Sequence, residues 1–365
     1  MPPTISFYVV YYFLKSNAIQ RNMIQINNIS QTTCKAVVIH GINQALLQDI
    51  PIPTIGENEV MIRVAYVGIC TTDLEIINGT LGYYQNNIAK YPIVPGHEVS
   101  GTIVNIGQNV TNLNIGDAVV VECIQGCGAC GACREKQPIG CKFRAELGVI
   151  GLNGGYSEFM VIPARFVQRI PPTLDLRTSC LSEPLAVVIK GLRRLAGAWE
   201  ENPEIKKCAV IGAGPIGRLC ALVLAHRGHD ITLFDNDAQR LNNVESIIAT
   251  SSSLNHLEKF DAIIEATGEQ SVLKTVIEKS RTGATILLLG LPYGIEKFSF
   301  EQIVAYDKTI VGSVGSNASD FEEALLLLPQ LDTSGFIRTV LPLAEFGKAW
   351  ELAENRSEIK ILLAP

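Results

Sequence analysis

Cys127, Cys130, Cys133 and Cys141 stand in the spacing C-x2-C-x2-C-x7-C, which lets one short loop turn back and present four thiolates to a single point. Such a quartet suits a tetrahedral Zn2+ with no open position, a site that holds structure in place and does no chemistry. Small residues interleave the first three cysteines, as Gly126-Cys127-Gly128-Ala129-Cys130-Gly131-Ala132-Cys133, so the backbone can wrap closely around an ion. Clustered cysteines in a long chain without a secretion signal favour metal over disulfides. Reactive groups must then come from elsewhere, and two upstream segments offer them: Val67-Gly68-Ile69-Cys70-Thr71-Thr72-Asp73 and Pro95-Gly96-His97-Glu98-Val99-Ser100-Gly101.

A third group of residues suits a dinucleotide. Gly212-Ala213-Gly214-Pro215-Ile216-Gly217 follows the apolar run Cys208–Ile211 and opens a helical pattern. In that strand–turn–helix setting Gly212 permits the tight turn, Gly214 lets a pyrophosphate approach the backbone, and Gly217 allows close helix–sheet packing. The helix start offers free N–H groups and a positive dipole end to phosphate, and Pro215 there forfeits no needed hydrogen bond. Asp235 closes the next strand and can accept hydrogen bonds from both adenosine ribose hydroxyls, repelling a 2′-phosphate. NAD is therefore expected over NADP, with Arg240 partly offsetting the repulsion.

The elements that must position these groups change character along the chain. From about 34 to 182, Gly, Pro and Asn punctuate short β-rich runs such as Val60–Tyr66, Gly101–Ile106, Ala118–Glu122 and Tyr156–Val161, which predicts a partly closed β-barrel. From about 184 the rhythm becomes strand, helix, strand, helix. The runs Cys208–Ile211, Ile231–Phe234, Phe260–Ala266 and Ala284–Leu289 alternate with helical stretches such as Pro215–Arg227, which predicts a doubly wound parallel sheet of α/β class. At 365 residues the chain is long enough for two cores, and a hydrophobic share of 47% excludes general disorder.

Together the Cys70 segment, the Gly96 segment and the cysteine loop resemble the zinc-containing medium-chain alcohol and polyol dehydrogenases. The pattern G-H-E-x2-G-x5-G-x2-V is met at every fixed position by Gly96, His97, Glu98, Gly101, Gly107 and Val110. The resemblance runs over about residues 34–365. It implies a GroES-like partly closed β-barrel catalytic domain over 34–183 and 317–365, and a Rossmann NAD-binding domain over 184–316. It further implies two zinc ions, one structural in the cysteine quartet and one catalytic, held by Cys70, His97 and a carboxylate from Glu98 or Glu183. Glu183, in Ser182-Glu183-Pro184-Leu185, stands where polyol and threonine dehydrogenases place a glutamate and alcohol dehydrogenases often a cysteine. Thr72 occupies the relay-hydroxyl position, and Thr267 and Gly290 belong to segments lying under the nicotinamide. Asp73 is expected to orient a ligand by hydrogen bonding.

Glu75 departs from the many relatives that carry a relay histidine there. Asp73-Leu74-Glu75-Ile76 and Asn78-Gly79 are similar to sugar-oxidising members such as archaeal glucose dehydrogenases. The implied activity is hydride transfer from a secondary or anomeric hydroxyl of a sugar, polyol or cyclitol to NAD. The rivals are a threonine-type or simple alcohol dehydrogenase, and a scaffold of the same fold that has lost catalysis. A net charge of −6 with no long basic run argues against a nucleic-acid partner. The ten-residue apolar stretch Ile5–Leu14 is too short to span a bilayer, and no signal peptide is evident. Residues 1–33 are expected to be an extension, disordered or preceding a true start at Met23. A small-molecule partner, a homo-oligomer (dimer or tetramer) and a reducing, cytoplasmic setting complete the expectation. Cys34, Cys123, Cys180, Cys208 and Cys220 are expected as ordinary thiols, Cys123 standing close enough to the loop to compete as a ligand.

Overall fold

The computed structural model describes residues 32–198, 206–242, 244, 247–291, 297, 299–356 and 358–365. The expected extension 1–33 lies outside them except for its last two residues. Thr33 already begins the first strand, β1 (Thr33–Gly41), which forms a hairpin with β2 (Gln44–Pro51). Next come β3 (Glu59–Gly68), a helix α1 (Thr71–Asn78), and β4 (Glu98–Ile106). Shorter strands follow: β5 (Ala118–Val121), β6 (Ile124–Gln125), β7 (Ala145–Leu147), β8 (Gly151–Leu152), β9 (Phe159–Pro163) and β10 (Val167–Arg169). Two strands from the far end of the chain, β17 (Ile337–Pro342) and β18 (Lys360–Ala364), join the same sheet in the order β10-β5-β4-β3-β18-β17, with β9 also on β3. Its inward faces bury Val60, Ile62, Ile103, Ile162 and Leu363 in one core with Ile76 of α1.

The second half begins with α2 (Ser182–Gly197). Strands β11 (Lys207–Ile211), β12 (Asp230–Phe234), β13 (Ala249–Ser251), β14 (Ala262–Glu265), β15 (Thr285–Leu288) and β16 (Thr309–Gly312) form a wholly parallel sheet ordered β13-β12-β11-β14-β15-β16. The order reverses beside β11, so a crevice opens at the carboxyl ends of β11 and β14, where doubly wound sheets bind ligands. One face packs on α2 and on α3 (Pro215–His226), through Leu185, Ile189, Leu219 and Leu233. The other packs on α4 (Gln270–Lys279), through Ile211, Ile263, Val276 and Ile286. Near-continuous apolar runs in these strands follow from burial on both faces.

The segment 317–365, expected whole in the first domain, divides between the two cores. Its helix α5 (Ala318–Leu327) buries Phe321 and Ala324 against α2 in the parallel-sheet half. The helix α6 (Phe346–Glu354) and strands β17 and β18 belong to the first half, with Ala349, Trp350 and Leu363 in its core. Among the described residues no helix is long and apolar enough to cross a membrane.

Candidate active site

The two halves line an open cleft of about 830 Å³, with Cys70, His97 and Glu183 on one side and Gly212, Gly214 and Asp235 on the other. Cys70 stands two residues beyond β3 and caps α1 in extended conformation (φ −105°, ψ 153°). Its backbone N–H donates to Asp73 Oδ2 at 3.0 Å, while Gly96 N–H donates to Asp73 Oδ1 at 3.1 Å. One wholly buried carboxylate thus ties the Cys70 turn to the His97 turn. Tyr156 supports it from behind, its hydroxyl donating to Asp73 Oδ2 at 3.2 Å. Gly96 has φ +94°, and a Cβ there would meet the Tyr156 ring at 2.3 Å, so glycine alone fits.

Among the described residues two groups could hold a metal ion. In the first, the donor atoms of Cys70, His97 and Glu98 all lie within 4.8 Å of one another. His97 Nδ1 and Glu98 Oε2 are buried without a hydrogen-bond partner, which a cation would relieve. Thiolate, imidazole and carboxylate are the donor types zinc accepts, so the residues fit the ion. Gly68 leaves the space, since a Cβ there would stand 2.0 Å from Glu98 Oε2. Burial opposes a charged His97, yet the Cys70 thiolate, Asp73 and Glu183 outweigh it and hold the imidazole well above its usual range. Glu183, at the start of α2, lines the same cavity but stands outside the close group. Burial pushes its carboxyl up to about 7, with His97 opposing and Glu98 assisting.

Sequence reasoning missed Lys360. Its Nζ donates to Glu98 Oε1 at 2.6 Å and to the Ile69 carbonyl at 3.0 Å, deep inside the protein. A lone lysine in the otherwise apolar run Ile359-Lys360-Ile361-Leu362-Leu363 was the available signal. Burial works against its charge, and Glu98 with Cys70 overrides that and raises it.

The second group is the cysteine quartet, whose sulfurs likewise all lie within 4.8 Å of one another. Gly126 and Gly128 shape the loop: a Cβ on Gly126 would stand 2.6 Å from Cys133 Sγ, and Gly128 has φ +79°. Backbone N–H groups of Ala129 and Cys130 and the Cys141 thiol lower Cys127 to about 6, which favours thiolate before any ion binds. Cys123 lies outside this group, buried on the cavity wall. Thr72 Oγ1 lies 3.7 Å from Cys70 Sγ, and Thr72 and Glu75 both face the cavity from α1.

On the opposite wall Gly212 has φ +103°, and a Cβ on Gly217 would fall 1.7 Å from the Gly212 carbonyl oxygen. Asp235 directly follows β12, its carboxylate accepting from Ala213 N–H at 2.7 Å and Asp237 N–H at 2.9 Å. Arg240 Nη1 stands 3.8 Å from it. Two organisers here were also missed. Glu265, buried at the end of β14, accepts from the N–H of Thr267 at 2.7 Å and of Gly268 at 3.2 Å, and from the Thr267 hydroxyl. Gly290 lies so close that a Cβ would clash with Gly268 N at 2.1 Å. Arg218, inside α3, donates to the Ala213 carbonyl at 3.2 Å and to the carbonyl of Arg240. Pro215 and Ile216 start α3 at the cavity edge.

Known proteins agree with this arrangement. The alcohol dehydrogenase GroES-like domain matches residues 56–172, and the glucose dehydrogenase C-terminus matches residues 176–364. The D-altritol 5-dehydrogenase of Agrobacterium fabrum is 31% identical over 314 residues, covering 83% of this chain and 90% of its own. The L-galactonate-5-dehydrogenase of Escherichia coli is 29% identical over 334 residues, covering 86% and 93%. An alcohol dehydrogenase of Escherichia coli CFT073, solved with NADH, superposes with a TM-score of 0.81 at 26% identity over 92% of this chain and 100% of that one. The chain belongs to the zinc-containing medium-chain alcohol and polyol dehydrogenase family.

Proposed function

We propose that the protein oxidises a secondary or anomeric hydroxyl of a sugar, polyol or cyclitol, with NAD as hydride acceptor and one catalytic and one structural zinc. The observation that supports it most is the placing of the Cys70, His97 and Glu98 donor atoms within 4.8 Å of one another, in the cavity that the Gly212 turn also lines. Residues 34–183 with the returning strands of 317–365 form the substrate side in this reading, and 184–316 the cofactor side.

Cys70, His97 and a carboxylate from Glu98 or Glu183 would hold the catalytic ion, and Cys127, Cys130, Cys133 and Cys141 the structural one. When bound, zinc lowers the pKa of a coordinated hydroxyl and the nicotinamide takes up hydride. The chain's own residues do the rest. Thr72 Oγ1, beside Cys70 Sγ, is placed to accept the hydroxyl proton and pass it outward. Glu75 faces the cavity, and its carboxylate accepts hydrogen bonds from neighbouring substrate hydroxyls. Glu265 fixes the Thr267-Gly268 turn, on which the nicotinamide would rest, and Gly290 lets that turn close. Asp235, its position held by Ala213 and Asp237 N–H groups, would receive the adenosine ribose hydroxyls, which favours NAD.

Relatives named for D-altritol and L-galactonate both act on polyhydroxy compounds, in keeping with this reading. A panel of sugars, polyols, cyclitols, threonine and simple alcohols, followed by NADH absorbance, tests it. Highest kcat/KM on a polyhydroxy compound is expected; a preference for threonine or a monohydric alcohol would reject it. Glu75→Gln should weaken polyhydroxy substrates more than simple alcohols, and equal losses would remove the role given to Glu75.

A further inference from the structure

The cysteine loop is the connection between β6 and β7, so the return of the chain from Cys141 sets where Glu146, in the middle of β7, stands. Arg144 lies on that return. Its backbone N–H donates to the Cys141 carbonyl at 3.2 Å, and its Nη1 donates to the Ile139 carbonyl at 3.2 Å, in the turn Pro138–Gly140 before the last cysteine. From this anchorage Nε donates to Glu146 Oε1 at 2.8 Å and Nη2 to Tyr83 Oη at 3.5 Å, with the guanidinium carbon 5.9 Å from the centre of the Tyr83 ring. One planar fork therefore holds two side chains from separate elements, β7 and the single-turn helix Gly82–Gln85. Tyr83 and Glu146 line the cleft that Cys70 and His97 also line, and Arg144 joins them without lining it.

Counting donors and acceptors shows what the pair offers. Arginine only donates, so Tyr83 Oη accepts from it and keeps its own proton, while Glu146 uses one oxygen and keeps Oε2. Among the described residues nothing else engages that proton or that oxygen. Burial and then the Glu146 carboxylate raise Tyr83, which keeps it a donor. A hydroxyl both donates and accepts and so satisfies the two at once; an ammonium cannot accept, a carboxylate cannot donate, and an alkyl group does neither. The pair also stands within electrostatic reach of the reacting end. Cys123, on the same wall, is raised by burial and then by Glu183, Glu146 and Cys70.

Resting on the polyol reading, we infer that Tyr83 and Glu146 bind a substrate hydroxyl other than the one oxidised, and that Arg144 is the positioning residue that holds both in place. A molecule with a single hydroxyl leaves the pair unmatched and forgoes the stabilisation that a polyhydroxy compound gains there.

The test takes the best-used of sorbitol, D-arabinitol, D-glucose and myo-inositol with the zinc-loaded enzyme, and reads its KM divided by the KM for NAD. Damage to the fold as a whole would move both constants. Tyr83→Phe keeps the ring and loses the hydroxyl, and should raise the ratio about five- to tenfold. Arg144→Met should raise it about tenfold or more, and adding Tyr83→Phe to Arg144→Met should change it by less than about twofold again, since both remove one arrangement. An unchanged ratio in both single variants, with any of the four compounds oxidised, would overturn the inference and leave the polyol reading intact. So would equal rises in the two KM values, which would make Tyr83 and Arg144 structural only. Fully multiplying effects in the double variant would overturn the positioning role of Arg144. Oxidation of none of the four would overturn the polyol reading itself, and this inference with it.

Discussion

Replacing Lys360 with methionine removes a cation from a nearly dry ion pair in the catalytic half. Its side chain is 3% exposed and that of Glu98 2%, with 2.6 Å between Nζ and Oε1. The change would leave a buried carboxylate whose other oxygen already lacks a hydrogen-bond partner. Breaking such a pair from one side costs about 3–5 kcal/mol, because the remaining charge is neither hydrated nor paired. That loss is expected in zinc-free protein. It should be smaller with zinc bound, since a cation beside Cys70 and His97 supplies Glu98 with another positive neighbour. Glu98→Gln added to Lys360→Met removes the stranded charge. The double variant should therefore be more stable than the sum of the single losses predicts, by about 2 kcal/mol. Urea unfolding followed through Trp350 fluorescence reads this, because Trp350 is buried with its Nε1 3.4 Å from Tyr156 Oη, next to the Asp73 network. A loss below about 1 kcal/mol in Lys360→Met, or simple additivity in the double variant, would refute the reasoning.

Two further outcomes follow from other parts of the molecule. Burial pushes Glu122 up to about 7, against the Gln168 hydrogen bond and with help from Glu322 and Asp320. The folded protein then binds more protons than the unfolded chain between about pH 4.5 and 7, so this group makes stability fall as pH rises through that window. Glu122→Gln, which keeps an acceptor for Gln168 Nε2, should gain stability relative to wild type from pH 5 to pH 8, by at most about 3 kcal/mol; a pH-independent difference would contradict it. Asp235→Asn keeps an acceptor for Ala213 N–H but removes the charge facing the ribose and any 2′-phosphate. It should lower kcat/KM for NAD about tenfold and raise the NADP/NAD ratio; an unchanged ratio in steady-state kinetics would show that Asp235 does not select the cofactor.

What could be read from sequence was what chemistry writes locally. The cysteine quartet spans fifteen residues and the Gly212 turn six, so spacing alone brings those groups together. Strand and helix rhythm likewise identified β11, α3, β12, β14 and β15 to within a residue or two. The missed groups act across the chain. Lys360 is 262 positions from Glu98 and Tyr156 is 83 from Asp73, so their partners emerge only when distant strands pair. The helix α5 was placed with the wrong core for a related reason. Its apolar residues specify burial, while the choice of α2 as the covering surface depends on how the parallel sheet is already layered. Glu265 and Arg218 look unremarkable in sequence because their role is to bind loop backbone, which leaves no side-chain pattern.

The central claim is that Cys70 and His97 share an ion distinct from the one in the cysteine loop. Zinc content measured with NAD-linked polyol oxidation, in wild type, His97→Ala and Cys127→Ser, addresses it directly. The account predicts about two zinc per chain in wild type, loss of one ion together with all activity in His97→Ala, and loss of the other in Cys127→Ser. His97→Ala protein that kept both its zinc and its turnover would contradict it.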